Sequence, residues 1–380
     1  MGDVMAKNAE WIEHPGAYVK EEMEERGWLQ RDLAFILGAP EAAVNMILSG
    51  KRGISADMAK ALGDAFDVPA EFFANLQQAH DMARARSPYA GIEERRKMQS
   101  VFPVREMIQR GWLEQNDSAI LEAQLMRFFG VNSTEKIPYL AHAAKKSRYE
   151  ERAIAPPQLA WLFRVKQIAA SIAVPRYSPN ALRSALDEFM PLLLEPEGVR
   201  HVPRILSECG VRLVFVEKLP ASEIDGVCFW LNRTSPVIGM TLRRDTIDNF
   251  WFVLRHEIEH VLRRDGLAQG QEIIDDLSGE NASPNVQSEE ERVANTSAAD
   301  FCVPTHTLDQ FMLRKKPFFS ERDVVAFAEL QLRHPGLVVG QMQFKMNDYT
   351  YLRRHLVRVR SFVLPGAIAD GWDQLVPVSL

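Results

Sequence analysis

Apolar residues near the start of the chain recur at helical spacing in short runs, each stopped by glycine or proline. Leu29, Leu33, Ile36 and Leu37 form one stripe, closed by Gly38. A tight turn over Ala39-Pro40-Glu41 leads to a second stripe, Val44, Ile47 and Leu48, closed by Gly50. Two short helices joined by so brief a turn predict a helix-turn-helix. Met58, Leu62 and Phe66, then Phe72, Phe73 and Leu76, supply the helices that pack behind it. From 81 to 155 the pattern stays helical with polar breaks, which reads as a connector. Residues 179–209 add two helical segments around Pro196. The period then shortens: 211–216, 226–231 and 236–242 are runs rich in β-branched and aromatic residues with turn residues between them, a small sheet leading into a long helix. Residues 271–287 are polar and rich in Gly, Ser and Asn, and read as a flexible loop.

Composition narrows the picture. A length of 380 residues predicts two or three domains, and 46% hydrophobic with 25% charged residues excludes a disordered chain. No apolar run approaches the ~18 residues of a membrane span, and the opening residues lack a secretory pattern. A cytoplasmic protein with no membrane partner is expected. Cys209, Cys228 and Cys302 have neither disulfide nor zinc-ribbon spacing. A net charge of −6 gives no global attraction to nucleic acid, so DNA binding would rest on a local patch.

A helix-turn-helix places its second helix in the major groove. Here that helix, from Glu41 through Asn45, has no basic residue, and residues 1–80 hold seven basic side chains against thirteen acidic ones. Two roles stand open: base reading, or a helical scaffold for dimerisation or a protein partner. Arg84, Arg86, Arg95, Arg96 and Lys97 either neutralise phosphates from the connector or form a solvated face. His14-Pro15-Gly16, the 29–38 helix, Leu48 to Ser55 and Pro69 to Phe73 together resemble the lambda-repressor-like (Xre) regulators, in particular their HigA-type antitoxin branch. The resemblance covers about 65 residues. It implies that Gln30 and the Gly50-Lys51-Arg52-Gly53 loop meet phosphates while the helix from Glu41 reads bases, giving Gln30, Arg31, Glu41, Asn45, Lys51 and Arg52 as the DNA-contact set.

The strongest chemical signal is His256-Glu257-Ile258-Glu259-His260, an H-E-x-x-H. On a helix the two histidines stand one turn apart on one face, able to bind one zinc ion, with Glu257 beside the open position as general base. Asp245 or Thr246 can cap that helix. Catalytic zinc needs a third protein ligand, and Glu289-Glu290-Glu291 offers candidates. Glu291 shares the phase of Ala294, Asn295, Ala298 and Phe301/Cys302, so it is the expected ligand; Asn295, one turn on, is placed to hydrogen-bond a ligand histidine. The plainer reading of three glutamates is a helix N-terminus favoured by the dipole. Tyr349, Tyr351 and His355 are candidate oxyanion donors; His201, His306 and His334 lack ligand spacing.

With Ile224-Asp225-Gly226, Phe229-Trp230, 236–242, 250–254 and 338–341, this two-helix motif resembles the ImmA/IrrE metallopeptidase family over residues 200–345. The resemblance implies a gluzincin-like zinc endopeptidase with His256, His260 and Glu291 as ligands, Glu257 as base and Asn295 behind them, cutting a repressor or antitoxin under stress. Position 259 departs from the family's small residue; Glu259 either repels substrate or points to solvent. The expected architecture is multidomain: an all-α helix-turn-helix domain over 1–80, a helical connector over 81–155, and a C-terminal α+β zincin-like domain with a small sheet over 156–380. The expected partners are DNA (its own promoter or operator), a protein substrate or toxin, and a second copy in a homodimer. The alternative is a HigA-like antitoxin and repressor whose metal-binding domain is a non-catalytic scaffold.

Overall fold

The computed structural model describes residues 12–85, 91–132, 155–265, 273–275 and 289–378. They fall into two compact units, Met1–Ala90 and Gly91–Leu380. The first contains α1 (Pro15–Arg26), α2 (Gln30–Leu37), α3 (Glu41–Leu48), α4 (Ala56–Phe66) and α5 (Ala70–Arg84). The first two helices stop at glycines: Gly27 and Gly38 take left-handed backbones with φ of 68° and 58°. Val19, Met23, Leu33, Val44, Ile47, Leu62, Phe66 and Phe73 make a core of the unit's own. Gly16 is required where α1 crosses α3, because a Cβ there would lie 2.0 Å from the Ile47 carbonyl oxygen. The unit runs past the expected limit at residue 80, since α5 continues to Arg84 and buries His80.

The second unit begins with α6 (Ile92–Val101), α7 (Val104–Gln109) and α8 (Ser118–Phe129), then α9 (Pro156–Ser171), α10 (Pro179–Phe189) and α11 (Val202–Glu208). The strands β1 (Arg212–Val216), β2 (Gly226–Trp230) and β3 (Pro236–Met240) lead into α12 (Ile247–Arg263). β4 (Ile273–Asp275), α13 (Glu289–Cys302), α14 (Thr305–Lys315), α15 (Glu321–Leu330), α16 (Pro335–Met346), α17 (Arg360–Val363) and β5 (Ile368–Asp370) complete it. The sheet order is β4-β2-β3-β1-β5, with β1 parallel to β3 and β5 and β2 antiparallel to β3 and β4. β4 lies within the stretch expected to be a loop, and β5 was not anticipated.

Both faces of this sheet are covered, which is why its strands read as almost unbroken apolar runs. Leu213, Phe215, Cys228 and Ile238 face one core with Phe250, Trp251 and Leu254 of α12. Val214, Val216, Val227, Phe229 and Val237 face the other, against Trp161 and Leu162 of α9 and Met107, Trp112, Leu125 and Phe128. Helices α6–α8, expected as a connector, contribute Met98, Met107, Leu125 and Phe128 to this same core. Arg164 and Asp370 form an ion pair across this unit, both almost fully buried, and Trp112 Nε1 donates to the same carboxylate at 2.8 Å. Among the described residues no helix is long and apolar enough to cross a membrane.

Candidate functional site

The long helix α12 is amphipathic around its whole inner side, burying Ile247, Phe250, Trp251, Val253, Leu254, Ile258 and Val261 against β2 and β3. That packing fixes its rotation and so decides where the motif points. His256, Glu257 and His260 are fully shielded from solvent. Neither expected cap operates through its side chain. Thr246 occupies the N-cap position without a capping bond, and Asp245 Oδ1 instead accepts from the backbone N–H groups of Val359 and Arg360 at 3.0 and 2.7 Å.

The inward stripe of α13 is Ala294, Ala298 and Cys302, small enough for the helix to lie close along α12. Glu291, in phase with them, enters the same space. His256 Nε2 and His260 Nε2 lie 3.1 Å apart, and the Glu291 carboxylate oxygens are 3.4 Å from the first and 3.7 Å from the second. Tetrahedral zinc with bonds of about 2.0–2.1 Å sets its ligand atoms about 3.3 Å apart, so the three donors fit one ion. Among the described residues these three are the group whose donor atoms converge within 4.8 Å. Glu289 and Glu290 lie nearer the solvated start of α13, as the periodicity suggested.

A carboxylate that the motif did not single out stands behind His260. His260 Nδ1 is 2.8 Å from the Asp265 carboxylate. A proton held on Nδ1 by that carboxylate leaves the Nε2 lone pair facing His256 and Glu291, the tautomer a metal requires. Asn295 sits half-buried one turn beyond Glu291, but the orienting partner of His260 is Asp265. The reason lies at the helix end: Arg264 adopts a left-handed backbone, φ 61°, and the Asp265 N–H bonds back to the His260 carbonyl at 3.0 Å, folding the carboxylate under the imidazole. A carboxylate shortly after the second histidine was the available sequence signal.

Glu257 lies against the start of β2. A Cβ on Gly226 would come within 2.4 Å of its Oε1, so glycine at 226 makes room for this carboxylate. Glu259 neither points freely to solvent nor stands as an uncompensated charge, because Arg255 on the same helix donates to it at 2.7 Å. Two of the oxyanion candidates are engaged elsewhere: Tyr351 donates to the Phe319 carbonyl at 2.7 Å, and His355 pairs with Glu321 at 2.6 Å. Tyr349 is exposed in the segment after α16.

In the first unit α2, the turn through Gly38 and α3 have the expected order. Val44 and Ile47 are buried, while Gln30, Arg31, Glu41, Asn45, Lys51 and Arg52 are all exposed. The backbone N–H groups of Lys51 and Arg52 both reach the Met46 carbonyl, at 2.9 and 3.0 Å, which curls the loop over the end of α3.

Residues 19–73 match the protein family HTH_3, described as helix-turn-helix. Virulence-associated protein A' of Dichelobacter nodosus is 38% identical over 72 residues, 19% of this chain and 63% of its own length, so the match spans less than two thirds of that relative. A solved structure of an addiction module antidote protein of a HigA family from Coxiella burnetii aligns with 32% identity over 23% of this chain and 91% of its own, with a TM-score of 0.19. The family match over 19–73, together with the five described helices of the unit, makes the N-terminal unit an all-helical helix-turn-helix domain.

Proposed function

We propose that this chain is a DNA-binding transcriptional regulator carrying a zinc-dependent endopeptidase centre, which cuts a regulatory protein, a repressor or antitoxin, under stress. The DNA-binding half is supported by the helix-turn-helix match over 19–73 and the exposure of the contact set. In this reading a cytoplasmic homodimer sits on its own promoter, each copy reading one half-site. The enzymatic half is carried by one observation, the convergence of His256, His260 and Glu291 on a point that suits zinc.

Those three residues would hold the ion. Zinc, when bound, would polarise a peptide carbonyl and activate water. Glu257 takes the proton from the attacking water on a carboxylate oxygen and returns it to the departing amide nitrogen. Contact with β2 at Gly226 holds that carboxylate in one place. Asp265 keeps the His260 ring oriented through Nδ1. Arg255 offsets Glu259, so the second carboxylate of the motif adds no unpaired charge beside an incoming peptide.

Purified protein is expected to carry about one zinc per chain, lost in His260→Ala. Glu257→Gln should keep the zinc and lose ~10²–10⁴ in rate. Wild type and Glu257→Gln would be expressed in the native host and N-terminal fragments mapped after stress; a regulator fragment seen with wild type alone is the expected result. Equal zinc in wild type and His260→Ala would remove the site. Identical fragment maps, with both proteins restraining a neighbouring toxin equally well, would replace the peptidase with a metal-stabilised scaffold.

A further inference from the structure

We infer that the helix-turn-helix unit selects A·T base pairs where α3 meets the groove, through Ala42, Asn45 and Met46, and that it discriminates against guanine there. The inference rests on the DNA-binding reading above and adds the chemistry of the sequence it recognises.

Burial of Val44 and Ile47 fixes the rotation of α3. Residues 41, 42, 45 and 46 are then neighbours on its outer side, at spacings of three and four along the helix, and all four are exposed. Met46 keeps 43% of its surface in solvent. The face offered to a groove therefore consists of one carboxylate, two apolar side chains and one amide. Each finds a different match among the base edges. Guanine presents two acceptors, N7 and O6, which call for a fork of donors from Arg or Lys; α3 contains neither. Adenine presents an acceptor and a donor side by side, the pattern a side-chain amide such as that of Asn45 satisfies with two bonds. Thymine presents a methyl group, suited to Ala42 and Met46. Glu41 can only accept, so it tolerates the exocyclic amines of adenine or cytosine and repels the two acceptors of guanine. Lys51 and Arg52 lie beyond the helix end, where the loop curls back on Met46, and serve phosphates without regard to sequence.

The test uses the full-length protein, first selecting from a randomised duplex pool at low salt, then titrating the selected site and its variants by fluorescence anisotropy. A·T pairs should be enriched under α3. Exchanging the pair read by Asn45 for G·C should weaken binding roughly 5- to 150-fold, the usual range for one bidentate contact. Asn45→Ala should abolish that discrimination, its affinities for the A·T and G·C versions of the site becoming equal, and Asn45→Arg should move the preference to G·C. Because position 45 is exposed, neither variant disturbs the core. Lys51→Ala/Arg52→Ala should weaken all sequences alike and flatten the salt dependence. A guanine-rich selected core, or salt-dependent binding with no base preference, would overturn the inference and leave DNA binding intact. No binding to any duplex at low salt would sink the DNA-binding reading itself, and the inference with it.

Discussion

At the scale of single residues, the proposed metal centre depends on more than the three side chains that would hold the ion. Asp265 sets the tautomer of His260, and outer hydrogen bonds of this kind are worth about 10- to 100-fold in metal affinity. Asp265→Asn keeps the side-chain size and removes the charge. Zinc affinity, measured by competition with a chromogenic chelator, should fall by that factor; an unchanged affinity would show that the 2.8 Å contact does not orient the ring. The convergence of His256, His260 and Glu291 was legible in the sequence because helical geometry puts residues four apart on one face, and because the phase of Ala294 and Ala298 singles out Glu291 from its neighbours. Asp265 was not, because its placement depends on a left-handed backbone at Arg264, a conformation a non-glycine residue adopts only under local constraint.

At the scale of elements, the tripeptide His-Pro-Gly occurs at 14–16 and again at 334–336, each time opening a helix. In both, histidine Nδ1 accepts from the glycine N–H at 3.0 Å, with proline at the first helical position. An imidazole can accept at Nδ1 only while that nitrogen is unprotonated. Burial is the main cause holding both pKa values below the ordinary 6.5; His80 and Arg84 add to it at His14, and His355 adds to it at His334. The folded value lies below the unfolded one. The capping contribution is therefore fully present above pH 6.5 and is lost as pH falls through the folded value. Urea unfolding of wild type should show this loss below pH 6.5, while His14→Asn/His334→Asn, whose caps do not titrate, should show a smaller dependence; equal slopes would refute the assignment. Asparagine caps as well as any residue, so the substitution should change stability at pH 8 by less than ~1 kcal/mol per helix.

For the whole molecule, the buried pair Arg164–Asp370 joins α9 to the sheet edge, and Trp112 brings the preceding helices to the same carboxylate. Removing one partner of a buried pair strands the other charge, at a cost of about 3–5 kcal/mol. Asp370→Asn should lower the unfolding free energy of the second unit by that amount in a urea titration followed by tryptophan fluorescence; a change below about 1 kcal/mol would show that the pair is not central. The three inner strands were readable from their apolar runs, but β5 was not. It is three residues long, and its pairing with β1 depends on a residue contact across most of the unit. Helices α6–α8 carried the right periodicity for helices, and periodicity says nothing about which surface an apolar stripe will cover. The sheet's second face supplies that answer only once the strands are seen to be apolar on both sides.

Trp112 and Asp370 are 258 residues apart in the chain. The ribosome therefore makes one partner of this contact early in the second unit and the other only after β1, β2, β3, α12 and α13 have already emerged. The first unit's core lies wholly between Val19 and Phe73 and can form as soon as that stretch is free, as domains generally do during synthesis. Under the function proposed above, a nascent chain acquires its means of occupying an operator well before its means of cutting a protein. On that proposal, a chain stopped between the first unit and α12 would hold every residue of the helix-turn-helix core and none of the residues that converge on the metal position.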